Sequence, residues 1–265
     1  MNNAQSLGNF EYDEMRLFFG YDYVINDKIT LKSPTVRDIV EFGEAKFYSM
    51  MFALCSTPSD YMSQLWEQGI DWVDYDEFEF FAMMAKGVDQ EFSNKFLGFD
   101  ITKLELCNDN RYEDSRLEMV ETFFDENGDM YYNLDGVIID RLIYLKITDF
   151  WRKICGFKKH TEIPTNNYTK RLLLDEHKRK SEKEKKGNYE SALLPIVITL
   201  LNTEEFKYNS SNILDISLYE LTVSLQQIST KKNALALLQG SYSGMVDTSK
   251  IPKESFNWIF KPEKQ

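Results

Sequence analysis

Several features that usually mark an enzyme or a membrane protein are scarce or missing in this 265-residue sequence. It contains two histidines, three cysteines and six prolines, and no apolar run reaches the ~18 residues of a membrane-spanning helix. The N-terminal segment has neither a basic start nor an apolar stretch, so we expect no signal peptide. The cysteines are odd in number and far apart, which favours reduced thiols in a cytoplasm.

Motifs for metal, nucleotide or covalent chemistry are missing as well. No GxxxxGKS/T, GxGxxG, GxSxG or HExxH pattern supports a phosphate loop, a dinucleotide site, a nucleophile elbow or a zinc site. Cys155 and His160 would supply two ligands where a structural zinc ion needs four. Residues 125–136, "DENGDMYYNLDG", resemble a calcium loop with its glycine at the wrong offset. We therefore expect no catalytic residue, no cofactor, no metal and no enzymatic activity.

The net charge of −12 is distributed unevenly along the chain. Residues 1–157 carry 14 basic and 30 acidic side chains, a net charge of −16. Residues 158–186 carry 10 basic and 5 acidic side chains, a net charge of +5, and residues 187–265 are nearly neutral with 7 and 8. Because an acidic surface repels phosphate, this distribution argues against a nucleic-acid partner.

Hydrophobic periodicity predicts a mainly α-helical chain with a small β-sheet, an α+β fold. The predicted elements are a hairpin at 23–31, helices at 36–54, 58–68 and 74–87, strands at 99–107, 116–124 and 130–134, and helices at 137–155, 189–202 and 217–240. Thr35 with Asp38 is expected to cap the first long helix in a variant of the capping box. Gly69 and Gly240 are expected to end the helices before them. The first residues of 137–155 could instead complete the sheet.

Residues 158–187 form a polar, charged stretch that divides the chain. It is charged nearly all round after Leu174, which is typical of a solvated helix or a linker; contact with an anionic partner is the alternative. The sequence therefore predicts an acidic N-terminal α+β domain at 1–157, a basic connector at 158–187 and a helical C-terminal domain at 188–265.

The stretch "WEQGIDWVDYDEFEFF", residues 66–81, mixes acids with aromatic rings. No basic residue occurs between Lys46 and Lys86. One interpretation is a helix with buried rings and solvated acids. The other is an acid-ringed apolar surface that holds a helical or basic partner segment. The candidate partner-binding residues are Trp66, Trp72, Tyr75, Phe78, Phe80 and Phe81. If folded variants of these rings still bind, the groove must lie in the C-terminal helices.

Two glycines near the C-terminus raise the question of a phosphate-binding loop. In "LLQGSYSGMVDTSKIPKESFNW", residues 237–258, Gly240 follows a long helix rather than a strand, which predicts a helix end and not a phosphate loop. Asp247 or Thr248 is expected to cap a last short helix that Trp258 packs against the protein. The segment is thus interpreted as a folded tail.

This tail resembles the C-terminal end of proteins encoded among the tail genes of long-tailed phages and prophages of Gram-positive bacteria. Residues 29–71 resemble the N-terminal part of the same group. That segment contains the pattern PT-x-R-x-I-x-x-x-G-E at Pro34, Thr35, Arg37, Ile39, Gly43 and Glu44. The two segments cover about a quarter of the chain, and residues 88–187 match nothing in that group.

The resemblance implies a non-enzymatic tail assembly chaperone in the host cytoplasm, which binds the tape-measure protein and keeps it soluble. The tail tube protein is a second candidate partner, and self-association into an oligomer stays open. An apolar groove would cover helical seams that otherwise aggregate, and an acidic surface would keep the complex soluble. The alternatives are a structural tail component retained in the virion and an acidic inhibitor of a host defence protein. No membrane partner is expected.

Overall fold

The computed structural model describes residues 13–103, 122–124, 130–134, 136–184, 187, 189–244, 247, 249 and 251–259. Within these residues the chain is mainly α-helical with two small antiparallel sheets, which confirms the predicted class. The helices are α1 (Glu14–Phe18), α2 (Val36–Phe42), α3 (Glu44–Cys55), α4 (Met62–Glu67), α5 (Glu77–Ala85), α6 (Gln90–Phe92), α7 (Arg141–Cys155), α8 (Asn167–Glu184), α9 (Leu193–Leu201) and α10 (Leu218–Tyr242). The strands are β1 (Tyr23–Val24), β2 (Thr30–Leu31), β3 (Thr122–Phe124), β4 (Met130–Leu134) and β5 (Val137–Asp140).

Both sheets form where the sequence predicts them. In the first, β1 pairs with β2, and the Asn26 carboxamide accepts the N–H groups of Lys28 and Ile29 at 2.9 and 2.8 Å, which closes the turn. In the second, the order is β3-β4-β5, so the first residues before α7 do complete the sheet. Of the strand predicted at 99–107, residues 101–103 form a 3-10 turn instead. Residues 104–121 and 125–129 lie outside the described part.

The predicted cap of α2 is confirmed. The Thr35 hydroxyl accepts the Asp38 N–H at 3.1 Å, while the Thr35 N–H donates to the Asp38 carboxylate at 3.1 Å. The continuous helix predicted at 36–54 is wrong, because Gly43, with φ of 98°, separates α2 from α3. A glycine adopts this backbone conformation without the Cβ clash that other residues suffer.

Other predicted helix boundaries hold to within a few residues. A 3-10 turn begins at Pro58 and leads into α4, and Gly69, with φ of 78°, follows it as predicted. The predicted start at Asp74 is wrong by two positions, because Asp76 accepts the N–H groups of Phe78 and Glu79 at 2.9 and 3.1 Å.

The predicted helix end at Gly240 is also wrong. Helix α10 continues through this glycine to Tyr242, and the left-handed residue is Gly244 with φ of 71°. One glycine costs a helix only about 1 kcal/mol relative to alanine. The tail packs along α10, and Gln227 Nε2 donates to the Trp258 carbonyl at 2.6 Å. The segment is therefore a helix end followed by a folded tail.

The core accounts for much of the aromatic content. Phe47, Phe92, Phe96 and Trp151 are fully buried, and their ring centroids lie 5.0–6.4 Å apart. Aromatic pairs at this separation stabilise a core beyond the area that they bury. Within the described part of the chain, no helix has both the length and the apolar character needed to cross a membrane.

The PT-x-R-x-I-x-x-x-G-E segment joins sequence-distant parts of the fold. Its contacts with the start of α10 and the residues just before it are Leu218 N–H to Pro34 O at 2.8 Å, Val36 N–H to Ile216 O at 3.0 Å, and Arg37 to Asp215 at 2.8 Å. Ile39 and Leu218 belong to one hydrophobic cluster. The motif therefore joins distant parts of the fold in this chain.

The domain boundaries at 157 and 187 stay predictions.

Candidate protein-binding surfaces

The six aromatic residues predicted to bind a partner occupy different environments. Trp66 is 48% exposed and Tyr75 is partly exposed. The other four are at most 2% exposed, and they are Trp72, Phe78, Phe80 and Phe81. Fully buried rings belong to the core and cannot contact a partner in this conformation. The predicted set therefore narrows to Trp66 and Tyr75.

A basic side chain from α8 covers these tryptophans. The Lys170 ammonium lies 5.1 Å from the ring centroid of Trp66 and 5.1 Å from that of Trp72. It also forms an ion pair with Asp71. A cation held against two indole faces is stabilised by their negative electrostatic potential. A distant segment of the chain thus supplies the basic residue that residues 66–81 lack.

Three more acids of this stretch are paired within the chain. The ion pairs are Glu67 with Lys178 at 2.9 Å, Asp76 with Arg141 at 3.0 Å, and Glu77 with Lys159 at 2.6 Å. Two of the three cations come from the predicted basic connector, 82 and 111 residues away in sequence. The acidic aromatic stretch therefore uses much of its charge to hold the connector rather than a partner.

Both histidines of the chain also fasten the connector. His177 Nδ1 lies 2.8 Å from Ser63 Oγ, and its Nε2 lies 2.9 Å from the Asp60 carbonyl. His160 Nδ1 lies 3.0 Å from the Asp60 carboxylate. A serine beside an imidazole is one requirement of nucleophilic catalysis. Ser63, however, is only 8% exposed and also lies 3.0 Å from Gln64 Oε1, so the pair serves as a contact between helices.

The cysteines in the described part are not poised for chemistry. Burial raises the pKa of the Cys55 thiol to about 12, and burial raises the pKa of Cys155 well above its ordinary value. The reactive thiolate form of either is therefore scarce at neutral pH. Among the described residues, no group of three or more histidines, cysteines or acids is placed to hold a metal ion.

A further candidate site is an apolar groove of about 600 Å³, which we call the α1–α10 groove. One face of α10 lines it, through Tyr219, Glu220, Val223, Ser224, Gln227 and Ile228. These residues recur at the three- and four-residue spacing of one helix face. Met15 and Phe18 of α1 and residues 205–208 form the walls. At 1.5 Å per residue, the lining face of α10 is about 13 Å long.

Capping and one ion pair hold the two helices in place. Asp13 caps α1, and Ser217 caps α10 by accepting the Glu220 N–H at 3.1 Å. The Lys153 ammonium of α7 lies 2.5 Å from the Glu14 carboxylate, which ties α1 to the core. These contacts hold α1 and the start of α10 beside the groove.

The groove contains a half-buried carboxylate. Tyr208 Oη donates a hydrogen bond to Glu220 Oε1 at 2.8 Å. Burial raises the pKa of Glu220 above its ordinary value, and the bond from Tyr208 only partly opposes this effect. Burial, followed by the bond to Glu220 and its charge, raises the pKa of Tyr208 to about 12.

The sequence pattern predicts part of this site. It predicted an amphipathic helix at 217–240 and named the C-terminal helices as the alternative location of a groove. It did not predict α1 or the role of residues 205–208. Helix α1 has only five residues, so hydrophobic periodicity could not reveal it.

Comparison with known proteins adds no assignment. No protein-family model, no curated protein and no solved structure matches this chain. The resemblance of residues 29–71 and 237–258 to phage tail proteins therefore stays a prediction, and the function has to be argued from the geometry of the chain.

Proposed function

We propose that this protein is a non-enzymatic chaperone that binds helical segments of a protein partner in the α1–α10 groove. The observation that carries the proposal is the apolar groove itself, with one face of α10 as its floor. A helix that exposes side chains at three- and four-residue spacing offers the ridges and grooves into which a second helix packs. Amphipathic helices bind such grooves through a few apolar anchors.

The dimensions of the groove support a short helical segment as its ligand. A lining face about 13 Å long corresponds to between two and three helical turns of a partner. Such a segment would present two or three apolar side chains to Phe18, Phe206 and Val223, which line the groove. A chaperone of this kind would cover a long helical protein one segment at a time.

The proposed partner is a tape-measure protein, and the proposed location is the host cytoplasm. Both follow from the resemblance of residues 29–71 and 237–258 to tail assembly proteins. An exposed helical seam aggregates unless another apolar surface covers it. The net charge of −12 would keep the complex soluble.

Co-expression with a tape-measure-like protein tests the proposal. Val223→Glu places a charge on the groove floor and should sharply reduce the soluble partner, because apolar anchors typically contribute roughly 1–4 kcal/mol each to binding. Val40→Glu is the matched control, since Val40 is an exposed valine on α2 outside the groove. It should leave partner solubility unchanged.

Two outcomes would count against the proposal. The partner could stay equally soluble with a Val223→Glu variant that retains its helical circular dichroism. Alternatively, Trp66→Ala alone could remove the effect, which would return the site to the aromatic stretch. Mass spectrometry of purified particles separates a chaperone, which should be absent, from a structural tail component, which should be present.

A further inference from the structure

The charges around the α1–α10 groove do not balance. Glu14 is paired with Lys153, and the other charged side chains that line the groove are Glu205, Lys207 and Glu220, two acids and one base. Glu220 then remains as a half-buried carboxylate whose described contact is the neutral Tyr208 hydroxyl. Among the described residues, Glu220 thus has no ion-pair partner in the groove.

Keeping such a carboxylate charged costs free energy in the free protein, and it costs more when an apolar ligand covers the groove. Removing a charge from water is unfavourable unless a charge of opposite sign or several hydrogen bonds replace the water. The raised pKa of Glu220 reflects this cost. A partner cation would remove it, because charge-assisted hydrogen bonds strengthen as solvent is excluded.

We propose that the α1–α10 groove selects helical segments that carry a lysine or arginine among their apolar residues, and that this cation pairs with Glu220. The proposal rests on the proposed function. The apolar lining binds the segment, and Glu220 decides which segments bind best. A purely apolar helix would cover Glu220 without compensating its charge.

Other occupants fit the groove less well. A second copy of this chain would bring a protein of net charge −12 against an acidic site, which like-charge repulsion disfavours. Residues 1–12, "MNNAQSLGNFEY", contain apolar side chains but no lysine or arginine to pair with Glu220. A foreign basic amphipathic segment satisfies both the apolar lining and the charge.

Two synthetic peptides test the selection on the full-length protein. Both are the same leucine- and alanine-rich helix, with a central lysine in one and norleucine in the other. The lysine peptide should bind the wild type roughly tenfold more tightly, as expected for a hydrogen bond to a charged group. Glu220→Gln keeps an acceptor for Tyr208 and should remove the preference while the norleucine peptide binds at least as well. Added salt should shrink the preference.

The outcomes separate this inference from the proposed function. Equal binding of both peptides to the wild type overturns the selection and leaves the groove as a helix site. If neither peptide binds, both proposals fail. A dimer in sedimentation that Val223→Glu dissociates would make a second copy the occupant and overturn the selection. Binding of both peptides by a Leu7→Asp, Phe10→Asp variant, but not by the wild type, would also overturn the selection. The occupant of the groove would then be the chain's own N-terminal residues.

A second variant guards against misfolding of Glu220→Gln. Tyr208→Phe removes the hydroxyl that satisfies Glu220 and leaves the carboxylate in place. It should keep or enlarge the preference for the lysine peptide. Loss of the preference in a folded Tyr208→Phe variant would contradict pairing between the lysine and Glu220.

Discussion

At the scale of single residues, two tryptophans in one short stretch have different roles. Trp72 is 2% exposed, and its indole N–H donates to the Glu162 carbonyl at 3.0 Å. Trp66 is 48% exposed, although both rings contact the same Lys170 ammonium. The chemical identity of a ring therefore does not reveal whether it belongs to the core or to the surface.

Alanine variants should separate the two roles. Trp72→Ala should lower the free energy of unfolding by about 3–5 kcal/mol, because it leaves a large cavity. Trp66→Ala should lower it by about 1 kcal/mol or less, the contribution of an exposed cation–π contact. Urea unfolding followed by circular dichroism measures both values. Equal losses would contradict the burial difference on which the narrowed candidate set depends.

At the scale of secondary-structure elements, helices of this chain are capped in two ways. Helix α2 is capped locally by Thr35 and Asp38. Helix α9 has Ala192 at its cap position, and a distant acid supplies the cap. The Glu44 carboxylate accepts the N–H groups of Ala192 and Leu193 at 2.7 and 2.8 Å. The start of α2 therefore depends on nearby sequence, whereas the start of α9 combines a local bond from the Leu194 N–H to Ser191 Oγ at 2.9 Å with the distant Glu44.

The local cap should produce a pH-dependent contribution to stability. Burial raises the pKa of Asp38, but hydrogen bonds from Thr35 and Lys32 outweigh it and hold that pKa below its ordinary value of 3.8. A carboxylate with a depressed pKa stabilises the fold above its unfolded-state pKa and loses this effect as pH falls through the folded-state pKa. Asp38→Asn should therefore cost about 1 kcal/mol near pH 7.

Urea unfolding of the wild type and Asp38→Asn across the acidic range checks this prediction. The difference between the two proteins should shrink as pH falls below about 4 and Asp38 becomes protonated. A difference that is constant with pH would mean that the charge of Asp38 does not contribute.

The distant cap should matter mainly for α9. Glu44→Ala should lower the free energy of unfolding by about 1–2 kcal/mol, since three donors lose their acceptor. Glu41→Ala is the matched control, because Glu41 is an exposed acid near the end of α2, three positions earlier in the sequence. Hydrogen exchange should accelerate in 193–201 for the first variant only. Equal exchange in both variants would rule out the cap.

At the scale of the whole molecule, the uneven charge of the sequence is partly neutralised by folding. Helix α8 contacts α4 through His177 and Lys178, and its Lys170 pairs with Asp71, which follows α4. It therefore covers the acidic stretch with cations from the only strongly basic part of the sequence. Contacts that rest on charge are weakened by salt, whereas apolar contacts are not.

Limited proteolysis should show this arrangement. A protease of broad specificity should cut first between Lys158 and Lys186, and high salt should accelerate these cuts because it screens the ion pairs that hold α8. A Lys178→Glu variant should be cut faster at low salt. Rapid first cuts within residues 36–86 would contradict the predicted domain boundary. Cleavage that does not change with salt would contradict the role of charge.

The sequence by itself determined the features that depend on near neighbours. The cap of α2, the turn at Asn26 and the start at Pro58 were predictable because each satisfies its hydrogen bonds within a few residues. Errors arose where a local signal had two outcomes: Gly43 broke a helix and Gly240 did not, although both are glycines in helical surroundings.

Only the tertiary structure decided which surfaces are free. The pairing of Lys170 with Asp71, the capping of α9 by Glu44 and the meeting of α1 with α10 join residues about 100 or more positions apart. No local pattern encodes such pairs, because they depend on how buried faces pack. The same packing buried four of six candidate rings and made the face of α10 beside Glu220 the floor of a groove.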